Sequence, residues 1–267
     1  MRTKATVFLG GGRITSALAA GLRLGGYPGE IVVYDRNPAK LRALRRESRV
    51  EIARDLKSAV ERAGMLVVAV RPASVAELLK EVAACGARAP TLCVSLAAGI
   101  PLRKLRGQLG PATRWVRAMP SPVCRMGRGL TALNFDQSVT RSERRRVRSL
   151  FALVGAVLEI PEKQFDVFTA VYSSSHGYHA LANLAKAAQA SGLDRATALT
   201  AAAHALSDGI LYWRESGQRL EDLLREAVTP GGIAAATMNA MDAAGYPLAM
   251  KAGIRAAIQQ ARRNARR

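Results

Sequence analysis

The sequence predicts an α/β chain in two parts, a doubly wound parallel sheet followed by an all-α region. Three observations carry this. Short apolar runs alternate with helical patterns up to about residue 161, a glycine-rich turn joins the first run to the first helix, and strand signals stop after Pro161. Strands covered by helices on both faces lose the polar–apolar alternation of a half-solvated sheet, so continuous apolar runs point to parallel pairing.

Taken in order, Ala5–Leu9, Ile31–Tyr34, Met65–Val70 and Thr91–Ser95 read as strands. Helical patterns over Ile14–Leu24, Pro38–Glu47, Leu56–Ala63 and Ser74–Ala84 alternate with them. That spacing builds right-handed βαβ units. Trp115–Ala118 and Leu130–Leu133 add strands, and helix Ser142–Val154 with strand Val157–Ile160 completes this part. Beyond it, Gly177–Ala190, Arg195–Glu215, Leu220–Val228, Gly232–Ala244 and Pro247–Arg263 read as helices, punctuated by Gly192, Gly217, Gly231-Gly232 and Gly245. Several are apolar nearly all round, as over Ala198–Leu206. Such a helix must be buried, in a bundle or against a second subunit. The expected domains are 1–161 and 162–267, the second an all-α dimerisation domain of a homodimer.

Composition narrows the function classes. The 267 residues are 49% hydrophobic and 22% charged, which is ordinary for a globular chain. No apolar run reaches the roughly 18–20 residues that cross a bilayer. The opening Met1-Arg2-Thr3-Lys4 leads into only five apolar residues and then glycines, too short for a signal-peptide core, so a cytoplasmic protein is expected. Cys85, Cys93 and Cys124 are odd in number and lack metal-ligand spacing, which reads as reduced thiols. Forty Lys+Arg against 20 Asp+Glu give a formal charge of +20. Outside Arg141–Arg148 and Arg262–Arg267 the basic residues are scattered, and no aromatic platforms interleave with them. This favours a surface that attracts anionic small molecules over a nucleic-acid interface.

The turn Leu9-Gly10-Gly11-Gly12-Arg13-Ile14-Thr15 gives G-x-G-x-x, with Thr15 where Gly or Ala is usual. Gly10 permits the tight turn, Gly12 lets a pyrophosphate approach the backbone, and the following helix offers unpaired N–H groups. Asp35, at the end of the second strand and 20 residues past Thr15, is placed to accept bonds from an adenine ribose. Together these mark a Rossmann dinucleotide-binding domain, with Gly10, Gly12, Arg13, Ile14, Asp35 and Arg36 as cofactor residues. Asp35 favours NAD(H), whereas Arg36 suits the 2′-phosphate of NADP(H), and both remain open.

Along nearly its whole length the chain resembles the pyrroline-5-carboxylate reductase family. The resemblance runs through Phe8–Ile14, Val68-Ala69-Val70-Arg71-Pro72, Ser95–Ile100, Arg117-Ala118-Met119-Pro120, Gly127–Leu133 and Leu223–Gly232. It implies hydride transfer from NAD(P)H to the C=N carbon of a small cyclic imino acid. It also implies that Val70, Arg71, Pro72, Ala97, Ala98, Gly99, Met119 and Pro120 line the nicotinamide side of the cleft. The helical domain would hold the substrate, completed across a dimer.

Three departures stand out. Ser121-Pro122-Val123 replaces Asn-Thr-Pro, and Ser173–Tyr178 aligns with Gly-Ser-Gly-Pro-Ala-Tyr. Thr229-Pro230-Gly231-Gly232-Ile233-Ala234 stands for Ser-Pro-Gly-Gly-Thr-Thr, so Ala234 removes the hydroxyl that the family directs at the imine nitrogen. Thr229 keeps a hydroxyl for the substrate carboxylate, and His176 or Tyr178 becomes the candidate proton donor. Tyr172 and His179 flank these, and His204 and Asp208 lie on the next helix. No metal site is expected from these histidines, which lack accompanying cysteine or carboxylate ligands. Two other classes share parts of this pattern. A β-hydroxyacid dehydrogenase would need a catalytic lysine, for which Lys186 lacks the expected surroundings. A non-catalytic dinucleotide- or nucleic-acid-binding relative would account for the lost hydroxyl and the charge.

Overall fold

The computed structural model describes residues 4–266. Eight strands form one sheet: β1 (Ala5–Leu9), β2 (Ile31–Tyr34), β3 (Glu51–Ile52), β4 (Ala63–Val68), β5 (Leu92–Ser95), β6 (Arg114–Met119), β7 (Gly129–Phe135) and β8 (Gly155–Glu159). Their order is β3-β2-β1-β4-β5-β6-β7-β8. All neighbours are parallel except β6 and β7. A single 3-10 segment, Pro122–Met126, joins those two, too little chain for a crossover helix.

Helices cover both faces. On one, α1 (Arg13–Leu24), α2 (Pro38–Ser48) and α6 (Arg141–Ala152) bury Leu18, Leu22, Leu44, Leu150 and Phe151 around Phe8 and Val33. On the other, α3 (Leu56–Arg62), α4 (Val75–Ala84) and α5 (Leu102–Leu105) pack Val60, Leu79, Val82 and Leu105 around Val7, Leu9 and Trp115. Strands β1, β2, β4 and β5 are near-continuously apolar because both of their faces are covered. The expected strand Met65–Val70 starts and ends two residues earlier, since Ala69 and Val70 leave the strand while the Ala69 N–H still bonds Leu9 O at 2.8 Å. Strand β3, α5 and α7 (Glu162–Val171) were not anticipated.

Beyond β8 the described chain is helical, with α7, α8 (Ser174–Ala190), α9 (Arg195–Ser216), α10 (Leu220–Ala227), α11 (Ile233–Ala243) and α12 (Tyr246–Arg266). Contacts divide it after Tyr172. One unit runs to Tyr172 and takes in the chain from Ala256 on; the other is Ser173–Arg255. By contacts α7 groups with the sheet. Its Phe165 is fully buried, and Glu162 and Asp166 pair with Arg117 of β6. In the second unit α8 packs on α9, with Ala185, Ala198 and Ala202 buried.

Candidate active site

The sheet order brings the sequence motifs together. Strands β1, β4, β5 and β6 are parallel neighbours, so their carboxyl ends line up along one edge. The segments that follow are Gly10–Gly12, Val70-Arg71-Pro72, Ala97-Ala98-Gly99 and Pro120-Ser121. Order reverses between β1 and β4, the position where open α/β sheets bind ligands.

The glycine turn is tied into this edge. Gly10 has φ +112°, and a Cβ there would lie 2.6 Å from Ala69 O, so only glycine fits. Gly12 is the N-cap of α1, and a Cβ on it would meet nothing within 4 Å. The space beside the helix N-terminus is therefore open. A cavity of about 520 Å³ there is lined by Gly11, Gly12, Arg13, Lys40 and Arg125 among others. Backbone N–H groups, a helix N-terminus and the cations Arg13, Lys40 and Arg125 fit a pyrophosphate, although Glu47 of the same lining lies 3.4 Å from Arg125. Arg13 is exposed, and Ile14 packs against the core. Thr15, the departure from the glycine pattern, is fully buried and donates its hydroxyl to Gly10 O at 2.6 Å. The larger residue thus braces the turn.

Asp35 and Arg36 diverge. Asp35 Oδ2 accepts the Gly11 N–H and Oδ1 the Asn37 N–H, both at 2.7 Å, and Lys40 Nζ is 3.8 Å away. Arg36 instead reaches α4, where it pairs with Glu77 at 3.3 Å and with Glu81. A second cavity, about 130 Å³, lies between them, lined by Leu9, Gly10, Tyr34, Asp35, Arg36, Val70, Ser74, Glu77 and Leu78. Sequence reasoning missed Glu77 and Glu81, which are 41 and 45 residues from Arg36.

The remaining cleft segments are equally fixed. Arg71 is exposed and precedes the 3-10 turn Pro72–Ser74. Gly99 has φ +79°, and a Cβ there would be 2.5 Å from Ala261 O of α12. Asn264 donates to Ala98 O at 3.4 Å, and Ala97 is buried. Met119 is half-buried and Pro120 buried. Behind them Arg117, 2% exposed, bonds Glu162 at 3.0 Å and Asp166 at 2.9 Å and lies 4.2 Å from the Phe165 ring centroid. The Leu130 N–H donates to Tyr172 Oη at 2.9 Å, which donates to Ser121 Oγ at 3.0 Å. Tyr172 therefore braces the loop after β6.

The substrate-side candidates belong to the other unit. Helix α8 starts at Ser174, capped by Ser173, so His176 and Tyr178 lie in its first turns. At two residues' spacing they point to different sides. His176 is half-buried and Tyr178 67% exposed. His179 contacts Asn183 at 3.3 Å through its ring. Thr229 is exposed in the loop before α11, where the Gly232 N–H donates to Thr229 O at 2.9 Å. Ile233 (89% exposed) and Ala234 open that helix. His204 Nδ1 lies 3.0 Å from Asp208 Oδ2. That bond, and a second from Ser207, hold the Asp208 carboxyl below its ordinary range. Asp208 is thus a poor proton donor. Among the described residues, no three His, Cys, Asp or Glu side chains group to hold a metal.

Residues 6–99 match the family described as NADP oxidoreductase, coenzyme F420-dependent, and 162–264 match pyrroline-5-carboxylate reductase dimerisation. The chain is 35% identical to pyrroline-5-carboxylate reductase of Mycobacterium tuberculosis, over 93% of this chain and 92% of that one. It belongs to the pyrroline-5-carboxylate reductase family. The Escherichia coli reductase is 28% identical over 91% of each chain. Among solved structures, the Plasmodium falciparum pyrroline carboxylate reductase, with NADP bound, shares the fold at TM-score 0.87 and 20% identity, covering 99% of both chains. The Streptococcus pyogenes 1-pyrroline-5-carboxylate reductase does so at TM-score 0.87 and 24% identity, covering 97% of this chain and 98% of that one. The first matched segment covers β1 to β5, and the second runs from α7 into α12. A β-hydroxyacid dehydrogenase is not favoured, and Lys186 is an exposed residue of α8.

Proposed function

We propose that the protein is an NAD(P)H-dependent reductase of a C=N bond, acting on 1-pyrroline-5-carboxylate or a related cyclic imino acid. The observation that carries this is the alignment of four motif segments at adjacent carboxyl ends of β1, β4, β5 and β6. The bound dinucleotide would supply a hydride to the imine carbon. The chain's own part is orientation: Gly10, Gly12 and the α1 N-terminus hold the phosphates, and Ala97–Gly99 and Met119-Pro120 wall the reacting face. Positioning of two reactants at contact distance accounts for most of the rate in such chemistry.

For the substrate we assign Thr229 to the carboxylate and His176 or Tyr178 to delivering the proton that completes the amine. Ala234 cannot donate, and a hydrogen bond formed mainly in the transition state is worth roughly 2–4 kcal/mol, about 30- to 1000-fold in rate. We read 162–267 as the substrate and dimerisation domain and expect a homodimer in the cytoplasm. Dinucleotide oxidation with 1-pyrroline-5-carboxylate tests this reading, and no turnover of that or any related cyclic imine would refute it. Ala234→Thr should raise the rate on 1-pyrroline-5-carboxylate, and His176→Ala should lower it. Full activity in both variants would remove the pocket assignment.

A further inference from the structure

We propose that Glu77 and Glu81 of α4 make this chain prefer NADH, by holding Arg36 and leaving Asp35 to face the ribose. The inference rests on the dinucleotide-binding reading above and deepens it. In a Rossmann domain the acid that ends the second strand bonds the ribose 2′-hydroxyl, whereas an arginine beside it accommodates a 2′-phosphate. Here both residues are present in sequence, and the structure separates them.

Asp35 is the fixed member. Its side chain is 13% exposed, and each carboxylate oxygen already accepts a backbone N–H, from Gly11 and from Asn37. Those bonds keep it at the cavity wall, where it cannot turn away from an incoming anion. Each oxygen retains lone-pair capacity for a ribose hydroxyl. Arg36 is the committed member, because its guanidinium pairs with both Glu77 and Glu81. Glu77 itself lines the same cavity as Asp35 and Arg36. Three carboxylates, Asp35, Glu77 and Glu81, therefore face two cations, Arg36 and Lys40, so the adenosine end is locally negative in a chain of net charge +20. A 2′-phosphate entering there meets Asp35 and must win Arg36 from two carboxylates. A 2′-hydroxyl meets neither obstacle.

The Arg36 pairs are exposed, at 61% for Arg36 and 65% and 36% for the glutamates. Exposed ion pairs are individually weak, so the expected discrimination is about tenfold rather than thousands. The test titrates the full-length protein with NADH and NADPH by fluorescence, with 5′-AMP and 2′,5′-ADP as competing probes. Wild type should bind NADH about tenfold more tightly than NADPH, with 5′-AMP the better competitor. Glu77→Gln with Glu81→Gln should shift the affinity ratio toward NADPH by about five- to tenfold, and adding Arg36→Gln should erase that shift. Thermal melts of each variant confirm that the fold is retained. A wild-type preference for NADPH, or an unchanged ratio in the folded double variant, would overturn the proposal while leaving the reductase reading intact. Failure of wild type to bind either dinucleotide would overturn both.

Discussion

The sheet unit buries Trp115, Phe8, Phe151 and Phe165 among rows of valine and leucine, whereas within Ser173–Arg255 the buried residues are Ala185, Ala198, Ala202 and Ala235. Exposure is the mirror image. Among the described residues, six of the 22 exposed large apolar side chains precede Ser173 and 16 fall in Ser173–Arg255, including the consecutive Ile210, Leu211, Tyr212 and Trp213 of α9. A buried alanine removes little more than one methyl group from water, at about 0.8 kcal/mol per carbon. The first region has a core of its own. The second exposes many large apolar side chains, as an interaction site does, and most soluble oligomers join identical chains.

The largest expected effect lies in the self-sufficient region. Phe151 is 1% exposed in the packing of α6 against the sheet, and Phe151→Ala should cost about 3–5 kcal/mol in urea unfolding. The matching change on the other side, Leu211→Asp, should barely alter the sheet. It should instead break assembly and abolish the dependence of melting temperature on protein concentration. Equal loss of sheet stability in both variants would erase the distinction between the regions.

A middle-sized effect concerns Arg117. Neutralising both partners with Glu162→Gln and Asp166→Asn leaves a guanidinium that is 2% exposed without a counter-charge. Breaking a buried pair costs about 3–5 kcal/mol, and because the two carboxylates are about a third exposed the expected loss is roughly 1–3 kcal/mol. Unfolding curves should show it together with a weaker hold of α7 on the sheet, read by hydrogen exchange. A neutral result would mean that Phe165 alone anchors α7.

The smallest effect is pH-dependent. Asp55 caps α3, and the Ser58 backbone N–H, then Arg54, lower its carboxyl to about 2. Its unfolded value is near 3.9, so the stabilisation is complete above that and is lost as pH falls through about 2. Asp55→Asn should flatten this part of the acid-stability profile, and an unchanged profile would remove Asp55 from it.

What was legible in the sequence follows the same division. Long strands and their helices announce themselves through apolar runs, and the glycine turn does so because a pyrophosphate demands bare backbone. Strand β3 has two residues and so no period to read. Ala69 and Val70 extend the apolar run of β4 past the strand's end, since hydrophobicity alone does not separate a strand from the buried turn after it. Thr15 was visible as a departure, but its bond to Gly10 O was not. The pairing of Arg36 with Glu77 and Glu81 joins distant positions through the fold and leaves no local pattern. The helical region was the hardest to read, because its candidates lie on separate elements and its apolar faces are arranged for contacts outside the lone chain.

Assembly tests the central contrast most directly. Multi-angle light scattering of the wild-type chain at micromolar concentration should give the mass of a dimer or a larger even assembly. A monomer at that concentration would contradict the account, because the exposed apolar side chains of Ser173–Arg255 would then face water in the working protein.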